Sequence, residues 1–282
     1  HLGNLGNAYY RLGETSKAIK YYDQALSISR KIKDRRNEGG WLGCLGSAYY
    51  SLGETRKAID YYNQALAISR EMKDRRDEST WLGNLGNTYY SLGETRKAIR
   101  HYEQALAIDR EIGYRRGEAA DLGNLGSVYA NLGETRNAIE HYKQSLSINR
   151  KIGYRRGEAV DLGNLGNAYA NLGETQEAIE HYEQALAISR EIGDRRSEGI
   201  ILSNLGEEYA ALGETKKAIE YCDQSLTIAC EIDDPSLEGA ILINFGKAYS
   251  ALGESNRAIE YYKQSLEIAS KIQNKSIESD AL

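Results

Sequence analysis

The apolar residues of this chain recur at the spacing of a helix face, and each such segment is followed by a glycine. In the second segment, Leu42, Leu45 and Tyr49 lie three and four residues apart, which places them on one side of a helix. Gly53 follows, and glycine commonly takes the position just after a helix C-terminus. The pattern predicts a first helix near residues 35–52.

A second apolar stripe follows this glycine. It begins at Ala58, includes Tyr62, and predicts a second helix near residues 54–72. The two helices should be antiparallel because the connection between them is so short. Asp234 and Pro235 mark the start of a later first helix, since Asp is a preferred N-cap and Pro a preferred first helical residue.

The two-helix unit repeats every 40 residues without a slip in register, and 282 is seven times 40 plus two. The repeats lie near residues 1–40, 41–80, 81–120, 121–160, 161–200, 201–240 and 241–280. The prediction is an all-α fold: one solenoid of seven antiparallel helix pairs over residues 1–282, with a partial fifteenth helix over 275–282. Neither end reads as a polar capping repeat. We therefore expect a piece of a longer array, whose ends can stack head-to-tail on another copy.

A glycine lies inside the first helix of every repeat, where it costs ~1 kcal/mol relative to alanine. These glycines are Gly6, Gly46, Gly86, Gly126, Gly166, Gly206 and Gly246. A penalty repeated in every copy predicts close packing of two helix backbones, with Ala18 and Ala58 of the second helices as the expected partners. The recurring tyrosine from Tyr9 to Tyr249 is expected to be a half-buried core residue.

Residues 4–26 read NLGNAYYRLGETSKAIKYYDQAL and resemble the tetratricopeptide repeat. The residues at that family's signature positions are Gly6, Tyr9, Ala18, Tyr22 and Ala25. Two departures are visible: the period is 40 rather than about 34, and the usual proline after the second helix is absent from six copies. Forty-residue units ending in DRRxE are similar to those of Pins/LGN-type adaptor proteins and long bacterial arrays, whereas HEAT repeats lack the Gly-Tyr-Ala signature. The resemblance implies a right-handed superhelical solenoid whose concave face is lined by first helices.

One stripe of the first helix remains after the core positions are assigned, and it is neutral and rich in amides. A helix face turned only to solvent normally carries Lys and Glu. One position of the stripe holds Asn in six of seven repeats, interrupted by Cys44, and further Asn residues lie three positions on. The candidate peptide-binding asparagines are Asn4, Asn84, Asn124, Asn164, Asn204, Asn244, Asn87 and Asn167.

Each of these carboxamides offers a donor and an acceptor to the backbone of an extended peptide. In related repeat adaptors, asparagine at this position holds peptide backbones, and the resemblance implies the same role here. The alternative is hydrogen bonding between the helices of neighbouring repeats. The glycines that precede the ladder are expected to leave room for a peptide, and they are Gly3, Gly43, Gly83, Gly123 and Gly163.

The head of the same stripe carries an arginine at five junctions, namely Arg36, Arg76, Arg116, Arg156 and Arg196. The planar guanidinium suits carboxylates, which predicts a partly acidic ligand. The alternative is ion pairing with recurring glutamates such as Glu38. Further candidates at the N-terminal end of the stripe are Tyr10, Tyr50 and Tyr90. Trp41 and Trp81 belong either to the same wall or to the core.

Composition excludes several functional classes. The net charge of −5 and pI near 5.6 argue against general binding of nucleic acid or anionic membranes. The three cysteines form no disulfide or zinc pattern, which favours a reducing, cytoplasmic setting. His101, His141 and His181 recur one repeat apart, too far to share a metal ion, and are expected at the solvated surface. No catalytic residue, metal or cofactor is predicted.

The sequence therefore predicts a non-catalytic protein–protein interaction scaffold that binds an extended, partly acidic peptide in its concave groove. The expected partner is a protein or peptide, with no nucleic acid and no membrane. The alternative is a regulatory or sensor segment of a larger signalling ATPase or protease that acts by intramolecular docking.

Overall fold

The computed structural model describes residues 1–272, and all of its regular structure is helical. Its helices are α1 (Leu2–Arg11), α2 (Thr15–Ile32), α3 (Arg35–Ser51), α4 (Thr55–Met72), α5 (Arg75–Ser91), α6 (Thr95–Ile112), α7 (Arg115–Asn131), α8 (Thr135–Lys151), α9 (Arg155–Asn171), α10 (Thr175–Ile192), α11 (Arg195–Ala211), α12 (Thr215–Glu231), α13 (Pro235–Ala251) and α14 (Ser255–Ile272). Odd-numbered helices are the first helices of their repeats and even-numbered helices the second. The all-α prediction of repeated helix pairs is confirmed. The partial helix predicted for 275–282 lies outside the described residues.

The helix ends follow from local chemistry. Gly53 has a φ of 74°, the left-handed conformation that glycine adopts without a steric penalty, and it ends α3 as predicted. At the start of α13, the Asp234 carboxylate accepts a hydrogen bond from the backbone N–H of Leu237 at 3.1 Å, and Pro235 is the first helical residue. The observed bounds of α3 and α4 lie within a residue of the predicted ones.

The described residues form two compact units, which divide between residues 148 and 149. In the first unit, α3 packs against α4 of its own repeat and against α2 of the preceding one, and α5 packs in the same way against α6 and α4. In the second unit, α11 packs against α12 and α10, and α13 against α14 and α12. Leucines of first helices, such as Leu42 and Leu45, and tyrosines of second helices, such as Tyr62, fill the core of the first unit.

The glycines inside the first helices make room for a tyrosine ring. A Cβ built on Gly46 would lie 2.6 Å from carbons of the Tyr62 ring, and the equivalent contact recurs in six of the seven repeats. The glycines are closely packed, but the prediction of close approach between two helix backbones was wrong in these six repeats, where a tyrosine ring rather than Ala18 or Ala58 is the nearest partner. The ring four residues further along the second helix projects to the glycine, because side chains at i and i+4 share a helix face. In the sixth repeat the backbone oxygen of Ala218 lies 3.2 Å from the Cβ position of Gly206.

The recurring tyrosines of the first helices are half-buried, as predicted, and each packs against a ring of the second helix. Tyr49 stacks on Tyr61 with ring centroids 5.3 Å apart, and Tyr89 stacks on His101 at 5.2 Å. The equivalent histidine pairs are Tyr129–His141 and Tyr169–His181. The prediction that these histidines are solvated surface residues holds only in part, because all three are half-buried. They replace a phenol ring in the stack, and burial lowers the pKa of His101.

A buried glutamate pairs with two arginines near the start of each of five first helices. Glu38 accepts hydrogen bonds from Arg30 Nε at 3.0 Å and from Arg35 Nη1 at 2.6 Å, and Arg35 also pairs with Glu71 on α4, the second helix of the same pair. We call this arrangement the arginine–glutamate clamp. Its other central glutamates are Glu78, Glu118, Glu158 and Glu198. In the last repeat, Cys230 and Pro235 stand at the two arginine positions.

Candidate peptide-binding surface

In the first unit, two carboxamides of the predicted stripe make no side-chain hydrogen bond with a described residue. Asn84 on α5 and Asn124 on α7 are half-buried at equivalent positions of successive first helices. Neither side-chain amide has a hydrogen-bond partner among residues 1–272. Asn4 occupies the same position on α1 and is exposed. We call these three residues the unit 1 amide stripe; each carboxamide is available to a ligand.

The asparagines three positions on have a second contact. Tyr102 donates its hydroxyl hydrogen to Asn87 Oδ1 at 2.7 Å, and Tyr182 donates to Asn167 Oδ1 at 2.6 Å. The oxygen of each carboxamide is thus used within its own repeat. Sequence reasoning missed this bond. The sequence feature that indicates this bond is the fixed separation of fifteen residues between the asparagine and the tyrosine.

In the second unit, two ladder asparagines bond to neighbouring first helices. Asn204 Nδ2 donates to Asn167 Oδ1 at 3.1 Å, and Asn244 Nδ2 donates to Ser203 Oγ at 3.0 Å. This is the alternative arrangement expected from the sequence. Asn164 on α9 is half-buried and makes no side-chain hydrogen bond within the described residues.

The space beside the ladder glycines differs from repeat to repeat. At Gly3 and Gly43 it is filled, because an added Cβ would lie 1.9 Å and 2.0 Å from the rings of Trp41 and Trp81. The prediction of room for a peptide is wrong at these two positions, and the tryptophans pack against the preceding repeat. At Gly163 no heavy atom lies within 4 Å of the Cβ position, so space is open there.

The arginines at the head of the stripe contact the N-terminus of the next first helix. Arg36 pairs with Asp74 at 3.3 Å, Arg156 with Asp194 at 3.3 Å and Arg196 with Asp234 at 2.9 Å. Where Tyr114 replaces the aspartate, the guanidinium of Arg76 lies 4.5 Å from the centre of its ring. Arg116 holds the equivalent exposed position on α7. The glutamates of the clamp pair with other arginines, so Arg36 does not contact Glu38 as the alternative supposed.

The candidate tyrosines reach towards the next first helix. The hydroxyl groups of Tyr10 and Ser51 are hydrogen-bonded at 2.6 Å, and Tyr90 donates to the backbone oxygen of Ser127 at 3.3 Å. Tyr50 is 38% exposed and its hydroxyl has no partner in the described part of the chain. Tyr50 is therefore the candidate tyrosine with an available donor.

The structure describes residues 1–272. That part contains no group of three or more His, Cys, Asp or Glu side chains that could hold a metal ion. None of its helices is long and apolar enough to cross a membrane. Cys44, Cys222 and Cys230 are free thiols.

The fold is an array of helix hairpins, and comparison with known proteins identifies its family. The model of the tetratricopeptide repeat matches residues 1–71, 41–111, 118–191, 157–231 and 197–271. The chain therefore belongs to the tetratricopeptide repeat family. No curated protein matches the sequence.

Solved structures with the same fold are similar at low sequence identity. A STAND signal-transduction ATPase with a tetratricopeptide repeat sensor, PH0952 from Pyrococcus horikoshii, is 20% identical with a TM-score of 0.82, covering 100% of this chain and 44% of that one. The quorum sensor NprR from B. thuringiensis is 16% identical with a TM-score of 0.78, covering 95% and 75%. A Rap protein complexed with Competence and Sporulation Factor is 17% identical with a TM-score of 0.65, covering 97% and 83%. At such identities the likeness shows the fold alone.

Proposed function

We propose that this chain is a non-catalytic scaffold that binds an extended segment of a partner protein along its first helices. The observation that carries the proposal is the pair of half-buried carboxamides on Asn84 and Asn124, which have no hydrogen-bond partner in the described residues. An extended peptide advances ~3.3 Å per residue and packed helices lie ~10 Å apart, so each repeat spans about three residues of the peptide. One asparagine per repeat can therefore bind one backbone amide in every three. Binding of this kind holds the backbone and tolerates many side chains.

The ligand is proposed to be partly acidic because of the arginines at the head of the stripe. The side chains of Arg36, Arg156 and Arg196 are 75%, 69% and 67% exposed. Exposed ion pairs contribute little free energy, so a ligand carboxylate can exchange with the aspartate that each arginine now contacts. The structures of a quorum sensor and of a Rap protein complexed with Competence and Sporulation Factor support a ligand-binding role for this fold.

Replacing Asn84 and Asn124 together by alanine should weaken binding of every ligand peptide. A display library of random twelve-residue peptides would be selected on the full chain, and the affinities of the selected peptides measured by fluorescence anisotropy. The loss of two hydrogen bonds of about 1 kcal/mol each should lower the affinity for the peptides by roughly tenfold or more. Stability should change little, because neither amide is hydrogen-bonded to another described residue.

Asn63→Ala is the matched control, because Asn63 is an exposed asparagine on α4, a second helix of the same unit. Its affinities should equal those of the unchanged chain. If the double variant binds the selected peptides as tightly as the control does, the first helices are not the binding surface.

Arg36→Gln should weaken the binding of peptides that contain Glu or Asp more than the binding of neutral peptides. That difference in affinity should shrink with added salt, because salt screens the interaction between exposed charges.

The second candidate function is a sensor segment that docks within a larger signalling protein. It is favoured by the similarity of the whole chain to 44% of the STAND ATPase whose sensor is a tetratricopeptide repeat. This function predicts that the selected peptides resemble segments flanking the repeats in the same polypeptide. Head-to-tail association of copies is a separate proposal, and light scattering over a concentration series tests it.

A further inference from the structure

Two carboxyl groups are buried together where α6 packs against α7 in the first unit. Asp109 on α6 is 1% exposed and Asp121 on α7 is 5% exposed. The hydroxyl of Ser79 donates a hydrogen bond to Asp109 Oδ1. Asp121 Oδ2 is buried and accepts no hydrogen bond from any described residue. A buried ionised carboxylate that lacks a donor is strongly unfavourable, so this pair needs a hydrogen from another source.

The next repeat shows where that hydrogen lies. Forty residues on, Asn149 takes the place of Asp109 and Asp161 takes the place of Asp121. There the amide nitrogen of Asn149 donates to Asp161 Oδ2 at 2.7 Å. At the aspartate pair both partners are acceptors when ionised, so the equivalent bond forms only when one carboxyl group carries a proton.

Within the described residues, no cation forms an ion pair with either carboxyl group, although the charge of Arg76 opposes the rise in the pKa of Asp109. From α5 come Ser79 and Arg76, and the guanidinium of Arg76 is stacked on the ring of Tyr114. On α7, Glu118 is a further carboxylate near the pair, and it already forms ion pairs with Arg110 and Arg115. Tyr102 of α6 is a neutral phenol whose hydroxyl bonds to Asn87. Each charged side chain in this neighbourhood has a contact of its own.

We propose that Asp109 and Asp121 form a buried proton-binding site that makes the packing of α6 against α7 depend on pH. With one proton shared by the pair, a carboxyl–carboxylate hydrogen bond replaces the amide–carboxylate bond of the next repeat. Loss of that proton leaves two negative charges in a buried contact, and the junction loosens. The two groups titrate as a pair.

The titration direction follows from burial and from the neighbouring charge. Burial, followed by the charge of Asp109, raises the pKa of Asp121 to about 8. Burial also raises the pKa of Asp109, although the hydrogen bond from Ser79 opposes the rise. A carboxyl group whose pKa is raised in the folded state contributes to the stability of the fold. This contribution is fully present below the unfolded pKa of about 4, and it is lost as the pH rises to about 8.

The test compares Asp109→Asn with the unchanged chain between pH 5 and pH 8. Protection from hydrogen exchange in peptides spanning residues 105–125 reports local opening of the junction. In the unchanged chain the local opening constant should rise by up to about tenfold per pH unit, because one proton is released on opening. In Asp109→Asn an amide can donate to Asp121 as Asn149 does to Asp161. The slope should vanish, and protection at pH 8 should rise by at least about tenfold.

The reciprocal change, Asn149→Asp, should install the same pH dependence in peptides spanning residues 145–165. If that variant does not fold, Asp121→Asn replaces it, and this variant should also abolish the slope at residues 105–125. An unchanged slope in Asp109→Asn, or protection at pH 8 that falls rather than rises, would overturn the proposal. None of these measurements depends on a ligand.

Discussion

Gly166→Ala is expected to destabilise the second unit by roughly 1–3 kcal/mol, the usual range for overpacking a filled core. A Cβ at this position would lie 2.5 Å from ring carbons of Tyr182. That ring is held in place by a hydrogen bond from its hydroxyl to Asn167 and by burial on both sides. The added methyl group must therefore displace either the ring or the backbone of α9.

Gly163→Ala in the same helix is the control, and its effect on the free energy of unfolding should have the opposite sign. No heavy atom lies within 4 Å of its Cβ position, so the substitution removes only the helix penalty of glycine and should stabilise by up to ~1 kcal/mol. Urea unfolding followed by circular dichroism measures both variants. Equal effects at the two positions would show that the Tyr182 ring does not require a glycine. Because Gly163 lies beside Asn164, the variant should also weaken a peptide that runs close to α9.

Helix positions and register were readable from the sequence because they depend on local spacing and caps. The contact partner of each glycine was not readable in the same way. Ala18 and Tyr22 lie on one face of α2, and periodicity alone cannot say which of them reaches Gly6. Only the tilt of the two helices decides it. In the sixth repeat Cys222 replaces the tyrosine, and the Cβ position of Gly206 then lies 2.9 Å from its sulfur.

The amide stripe could be predicted as a stripe, but not which of its asparagines are available. Asn244 bonds to the hydroxyl of Ser203 in the preceding repeat. The residue at the equivalent place before Asn84 is Gly43, which offers no side chain. For Asn244 and Asn84, availability therefore depends on the residue one repeat before, which inspection of a single helix does not reveal. The contact of Arg36 could not be predicted for a similar reason, because its aspartate partner Asp74 lies 38 residues further along the chain.

Glu38→Gln is expected to destabilise the first unit at neutral pH by about 1–3 kcal/mol, the range for hydrogen bonds to charged groups. The substitution keeps the shape of the side chain but removes the charge that holds Arg30 and Arg35. Burial opposes ionisation of Glu38, but the hydrogen bonds from the two arginines outweigh it, so its pKa is lowered. The clamp thus stabilises above the unfolded pKa, and its contribution is lost as the pH falls through the lower folded value. The difference between the variant and the unchanged chain should therefore shrink below about pH 4.

Glu238→Gln is the matched control for the clamp. Glu238 holds the equivalent position on α13, but Cys230 and Pro235 replace its two arginines, and it forms no ion pair with a described residue. Its stability in urea should stay within ~0.5 kcal/mol of the unchanged chain at both pH 7 and pH 4. If Glu238→Gln proves as destabilising as Glu38→Gln, burial of the side chain rather than the arginine pair stabilises these junctions. A Glu38→Gln difference that does not shrink at all between pH 7 and pH 3 would likewise argue against an ionic origin, because the contribution of an ion pair declines below the unfolded pKa of the carboxyl group.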